Sequence, residues 1–410
     1  MTAFTGELAC VRCGASAKPV DPWMGCPACR AEGQPANMLP MYEPLVGQSL
    51  AVDETQPGIF RYRSMLPIAT SARPVSLHEG GTPVIDAGAL ADSWALENLW
   101  FKDESRNPTW SYKDRLAAVA TTVARDEGAG TVALATTGNH GAAAAAYAAA
   151  AGLACVILTL ESVPTSMKVL MQVYGAKVFA LEQSADRWKL LSHGVLNLGW
   201  VPLSGFSDPP IGSNPYGIDG YKTIAYEILE QTTKLPDVVI LPVAYGDGLI
   251  GVQRGFADLV ALGLAPHEPR ILAVDVFGAY DLAPEQNPFA VKTGPTTAFS
   301  IGAKTATWQG LTALRRSRGS AVTVTDDDEI LAAQQLIASS TGLYVEASAA
   351  ITVAGLGRLR DRNVIREGES VLCMLTSSGL KDIEATQTRL EKVPLVGPDP
   401  VAFEKILDRC

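Results

Sequence analysis

The sequence predicts an α/β protein of mostly parallel, twisted sheets flanked by helices, preceded by a small four-cysteine module. Three observations carry that prediction. Short apolar runs alternate with helix-period segments from residue 112 to residue 376, the pattern of strands joined by crossover helices. Several of those runs end in glycine-bearing turns that lead straight into a helical pattern. Four of the seven cysteines lie within the first thirty residues.

Taken in order, residues 1–40 hold too few large apolar residues to bury a core of their own. They carry Cys10, Cys13, Cys26 and Cys29 as C-x2-C, a twelve-residue spacer, and C-x2-C. Four thiolates at those spacings can close a tetrahedral zinc site with no open position, so the metal would be structural. Four unrelated thiols are the alternative. A polar connection with the turn-forming pieces "DETQPG" and "HEGGTP" follows. The expected strands are then 131–136, 154–159, 176–181, 237–243, 270–276 and 370–376, and the expected helices 112–127, 139–151, 164–174, 216–234, 247–263 and 346–362. The run "GAAAAAYAAAAG" (141–152) reads as a helix, because alanine has the best helix propensity and small side chains permit close approach. No internal repeat is visible.

With 410 residues, 47% hydrophobic and 19% charged, the chain has the composition of a soluble globular protein of two or three domains. Its formal net charge of −10 argues against a nucleic-acid surface. No basic amphipathic stretch, membrane-length apolar run or secretory leader is apparent, so a cytoplasmic address is expected. Cys155, Cys373 and Cys410 are scattered, as suits reduced thiols.

Four stretches bear chemistry. "NPTWSYKDR" (107–115) puts Lys113 at the mouth of a helix; "ATTGNHGAAAA" (135–145) puts Asn139 in a strand-to-helix turn. "LPVAYGDGLIGV" (241–252) repeats that turn with Gly246, Asp247, Gly248 and Leu249. Consecutive backbone N–H groups there can cradle a phosphate, although the text is neither a P-loop nor a dinucleotide fingerprint. "LTSSGLKD" (375–382) closes a strand with the hydroxyl of Thr376. Ligands of open parallel sheets sit beyond the carboxyl ends of strands, so these turns can converge on one ligand. An amine, anion-binding turns, an amide and a hydroxyl suit pyridoxal 5'-phosphate (PLP), which needs a partner for its aldehyde, its phosphate and its ring heteroatoms.

The ordered motifs "GGTPV", "NPTWSYKDR", "TTGNHG", "SNPYGIDGYKT", "GDGLIG", "EASAA" and "TSSGLKD" span residues 80–382, and through them the chain resembles the threonine synthase family of fold type II PLP enzymes, in the tryptophan synthase β superfamily. The resemblance implies two α/β lobes, a large one from 45–125 and 215–410 and a small one from 126–214. It places the lysine that binds the cofactor aldehyde on Lys113 and the asparagine beside the pyridoxal 3-oxygen on Asn139. The phosphate grip falls on Gly246, Asp247, Gly248 and Leu249, and the hydroxyl at the ring nitrogen on Thr376. A cysteine-rich ribbon accompanies some members, and a homodimer is expected. A neutral hydroxyl at the ring nitrogen gives a weaker electron sink than an aspartate, which favours elimination or replacement at the substrate side chain over transamination. Lys113 is then the natural base for the α-proton.

Three departures bear on the substrate. Trp110 stands where the family has glycine; Gly217 stands where the family has an arginine, with Ile211 and Gly212 replacing its Asn-Ser pair; and His140 follows the asparagine, as in dehydratases and ammonia-lyases of this fold. A phosphate dianion wants charge-assisted bonds of about 1.5–3 kcal/mol each, so poor acceptance of O-phosphohomoserine is expected unless a cation such as Lys222 compensates. Lys222 reads first as a solvated helix charge. His140 either caps its helix or faces substrate, Trp110 either packs or fills the pocket, and Glu346 is a candidate for orienting a group near the cofactor. The expected function is a PLP-dependent lyase acting on an α-amino acid by β- or γ-elimination or replacement. The alternatives are threonine synthase proper, or a catalytically inactive binding protein of the same fold. A Ser-His-Asp hydrolase is rejected because no G-x-S-x-G elbow appears.

Overall fold

The structure, a computed structural model, describes residues 4–18, 21–45, 49–283 and 287–407; Cys410 lies outside them. Thirteen strands form three sheets among these residues. Strands β1 (Phe4–Cys10), β2 (Ser16–Ala17) and β3 (Met38–Tyr42) make an antiparallel sheet in the order β2-β1-β3. The others are β4 (Val84–Asp86), β5 (Asn98–Asp103), β6 (Thr131–Ala135), β7 (Ala154–Leu160), β8 (Lys177–Leu181), β9 (Val201–Pro202), β10 (Val238–Pro242), β11 (Arg270–Asp275), β12 (Ala321–Thr323) and β13 (Ser370–Leu375).

A six-stranded sheet runs β12-β11-β10-β13-β5-β4, parallel except for the β4 edge, and a four-stranded parallel sheet runs β8-β7-β6-β9. Every residue of β10 and β13 is buried. Helices cover both faces of a parallel sheet, which is why such strands read as unbroken apolar runs.

All six expected strands form, as do the six expected helices, with one interruption. The segment predicted as one helix over 216–234 is a short helix Pro215–Ile218, a 3-10 turn Asp219–Tyr221 and a helix Lys222–Gln231. The alanine-rich helix Asn139–Ala151 is buried along most of its length and packs on helix Lys113–Asp126 through Ala143, Ala146 and Tyr147 against Ala117, Ala118 and Val119. The ends of β6, β10 and β13 all open on the space between the two larger sheets.

The four-cysteine module has only a small cluster of its own, Leu8, Cys10, Cys26, Cys29, Ala36 and Met38, completed by Tyr216 and Trp308 of the main body. Its four sulfurs lie within 4.8 Å of one another. The pairs Cys10–Cys29 and Cys13–Cys26 stand 3.6 and 3.7 Å apart, too far for disulfides and near the ~3.8 Å edge of a tetrahedron with 2.3 Å zinc–sulfur bonds.

Candidate active site

Lys113 is the first residue of its helix, and the two residues after it anchor that position. The buried Asp114 carboxylate accepts from Thr109 N (2.9 Å) and Thr109 Oγ1 (2.7 Å). Arg115, fully buried, donates to Glu104 (2.8 Å) and Glu227 (2.7 Å), and Lys102 Nζ also pairs with Glu227 at 2.8 Å. Burial would raise the Glu227 carboxyl, but Arg115 and Lys102 outweigh that and hold it below the usual carboxylate range. This ion network fixes the helix from behind, while the preceding loop is laced to the end of β13. Tyr112 N donates to Thr376 O (3.0 Å), and Trp110 O accepts from Ser377 Oγ (3.0 Å) and Ser378 N (3.1 Å). Lys113 Nζ lies 4.9 Å from the Tyr112 ring centre and 5.8 Å from that of Tyr221. Among the described residues it has no carboxylate partner.

Lys113, Asn139, Gly246, Asp247, Gly248, Leu249 and Thr376, all seven residues singled out in the sequence, line one cleft with about 1220 Å³ of free space, part of it open to solvent. The Asn139 amide is fixed on both sides. Its Nδ2 donates to both oxygens of Glu346 at 2.9 Å, and its Oδ1 accepts from Lys381 Nζ (2.7 Å) and Ser377 Oγ (3.1 Å). Burial raises the Glu346 carboxyl against the Asn139 amide and the Lys381 charge. Burial pushes Lys381 down to about 8.

A model of the family described as pyridoxal-phosphate dependent enzyme matches residues 75–377. The chain belongs to that family. It is 35% identical over 339 residues to a threonine synthase of Methanosarcina acetivorans, covering 80% of each chain. It is 33% identical over 373 residues to a threonine synthase of Mycobacterium leprae, covering 88% of this chain and 98% of the relative. Among solved structures, threonine deaminase isoform 2 of Solanum lycopersicum superposes with a TM-score of 0.62 at 20% identity, over 75% of this chain and 82% of that one. Diaminopropionate ammonia lyase of Escherichia coli does so with a TM-score of 0.63 at 17% identity, over 76% and 88%. The protein is a PLP-dependent enzyme of the threonine synthase-like kind.

The cleft of this PLP-dependent enzyme fits the cofactor. Helix Asp247–Ala261 points its N-terminus into the cleft, where the first N–H groups have no intrahelical acceptor. Gly246 reaches it with φ +76°, and a Cβ there would meet Gly310 Cα at 2.5 Å, so only glycine makes this turn. The Asp247 carboxylate accepts from Ser213 N (2.9 Å), Ser213 Oγ (2.7 Å) and Gln309 Nε2 (2.5 Å). His140 and Ser300 line the same space, and His140 Nε2 and Ser300 Oγ are buried without a partner among the described residues. Burial, reinforced by the Lys113 charge, pushes His140 well below its usual range, so its imidazole is neutral.

The departures resolve differently from the sequence expectations. Trp110 does not fill the pocket. Its ring is 45% exposed and not among the cleft-lining residues, and its backbone adopts φ +59°, a conformation that favours the glycine it replaces. Lys222 is not a solvated charge and cannot serve the cleft. It is fully buried, pairs with Asp258 at 2.7 Å and sits 3.9 Å from the Tyr42 ring centre. A Cβ on Gly217 would lie 2.9 Å from both Ala120 Cβ and Leu116 O, so this backbone has no room for an arginine. The residues missed by sequence reasoning are Lys381, which holds Asn139, and Arg187, Trp188 and Ser300 in the cleft wall. Arg187 gave no signal beyond one polar position on an amphipathic helix.

Proposed function

We propose that this lyase uses Lys113 to hold PLP and then to take the α-proton of a bound amino acid, expelling a leaving group from the substrate side chain. The observation that carries the reading is the convergence of Lys113, Asn139, the Gly246–Leu249 turn and Thr376 on one cleft. Bound there, PLP supplies an electron sink for the carbanion formed at the substrate α-carbon. The helix N-terminus after Gly246 would hold the phosphate. The Asn139 amide, clamped by Glu346, Lys381 and Ser377, would meet the ring 3-oxygen. The Thr376 hydroxyl, without a protein partner among the described residues, would accompany the ring nitrogen. Lys113, freed by the substrate amine and without a carboxylate partner among the described residues, would be the base for the α-proton. The neutral His140 imidazole, its Nε2 without a partner among the described residues, would offer a hydrogen bond in the cleft.

Threonine synthase proper is the second reading, favoured by the relatives of that name. The packed Gly217 weighs against it, and we expect little threonine from O-phosphohomoserine. A structural zinc on Cys10, Cys13, Cys26 and Cys29 is supported by the spacing and by the sulfur–sulfur distances. A cytoplasmic homodimer is the form the family resemblance favours.

Borohydride reduction of the holoenzyme followed by peptide mass mapping tests the central role: the added cofactor mass belongs on the peptide carrying Lys113. Recovery of that mass on Lys381 or Lys222, or nowhere, would remove the proposed chemistry. A screen of amino acids for keto-acid and ammonia release, with Lys113→Ala as control, identifies the leaving group.

A further inference from the structure

Arg187 stands out as a cation without a counter-ion. It belongs to helix Ser184–Leu198 and is 7% exposed, yet it lines the cleft. Its Nη1 donates to Thr136 O (3.0 Å), its Nη2 to Ser184 Oγ (2.7 Å) and its Nε to Ser184 O (3.3 Å). All three acceptors are neutral, and one N–H on each terminal nitrogen is left without a protein partner among the described residues. The two acidic residues lining the same cleft are committed elsewhere, Asp247 to Ser213 and Gln309 and Glu346 to Asn139. Lys113 is the one other lysine or arginine among the described lining residues. Burying a cation is costly unless an anion completes it, and no carboxylate among the described residues does so.

We propose that Arg187 is a specificity-determining residue that receives a second carboxylate on the substrate, which makes the substrate class an acidic α-amino acid. The proposal rests on the reading of this cleft as a PLP-dependent amino-acid site. Two N–H groups on one guanidinium suit the two oxygens of a planar carboxylate. The side chain is pre-positioned, since Thr136 and Ser184 hold its plane, and Trp188 closes the wall beside it against Tyr245, ring centres 6.5 Å apart. Thr136 lies three residues before Asn139 on the same turn, so Arg187 borders the wall of the cleft that also carries Asn139. A neutral side chain would leave the guanidinium buried and unpaired, which is how a polar site rejects an isostere.

The test compares isosteric pairs on the holoenzyme, L-aspartate against L-asparagine and L-glutamate against L-glutamine, by calorimetry and by the change in cofactor absorption. We expect one acid to bind at least about tenfold tighter than its amide. In Arg187→Gln that preference shrinks to about twofold or less while amide binding is retained; Arg187→Lys keeps part of it. Equal binding of acid and amide by the wild-type protein overturns the proposal, whether or not the variants fold, as does a preference that survives in Arg187→Gln. Borohydride trapping in the same preparations separates the two layers. Trapped cofactor without acid preference removes the role of Arg187 and leaves the lyase standing, whereas absence of trapped cofactor removes the reading beneath both.

Discussion

Lys381 offers a quantitative check on the clamp around Asn139. It is 4% exposed and donates to Asn139 Oδ1 at 2.7 Å. Burial lowers its ammonium from 10.5 to about 8, against the opposing pull of Glu346 and Asp114. In the unfolded chain the same amine keeps its proton until about pH 10.4. Between those values the unfolded state binds a proton that the folded state has released, so this group makes stability rise with pH across that window. At 1.36 kcal/mol for each pH step, the full interval is worth roughly 3 kcal/mol. Urea unfolding of the holoenzyme and of Lys381→Met, at steps from about pH 7 to about pH 10.5, isolates the effect. Taking the difference between the two proteins cancels other buried groups, such as the Cys155 thiol, which burial pushes up to about 12. The wild-type-minus-variant stability should climb by that amount. A flat difference would mean that Lys381 keeps its proton in the fold, and the account of its burial would be wrong.

Other consequences can be checked as readily. Arg115→Met strands the buried Glu104 and leaves the buried Glu227 with Lys102 as its remaining cation, and should cost about 3–5 kcal/mol by urea unfolding. Gly217→Ala places a methyl 2.9 Å from Ala120 Cβ and Leu116 O and should cost about 1–3 kcal/mol. For the same reason, Gly217→Arg should unfold more easily without gaining threonine formation from O-phosphohomoserine. Elemental analysis should find about one zinc per chain, and a strong chelator should lower the thermal midpoint of the wild type but not of a Cys10→Ser/Cys29→Ser variant.

Of the strands read in the sequence, all but the mostly exposed edge strand β8 are largely buried. β6, β7, β10, β11 and β13 announce themselves as apolar runs. β5 did not, because Lys102 and Asp103 interrupt it; their charges are neutralised by Glu227, 125 residues away, and by Arg106. β12 has three residues, too few for a periodic signal. Helix Asp327–Thr341 did carry a signal, the run of acids after its Asp326 cap, and could have been found. The site residues were legible because each lies at a strand end or helix start, where glycine and a reactive side chain coincide. Lys222 was misread because its partner Asp258 comes from another helix. Arg187 was invisible for a related reason: a buried cation and a solvated one are the same letter until the fold brings neighbours, or withholds them.

The hydrogen bonds of the Asp247 carboxylate have a wider reach than the cleft. Gln309, which donates to it, accepts in turn from Asn37 Nδ2 at 3.0 Å, and the same amide reaches Ser213 O at 3.1 Å. Asn37 is next to β3, eight residues beyond Cys29. Asn37 thus ties the four-cysteine module to Ser213 and Gln309, the partners of Asp247, and whatever loosens its four sulfurs should also slacken the enzyme's hold on its vitamin.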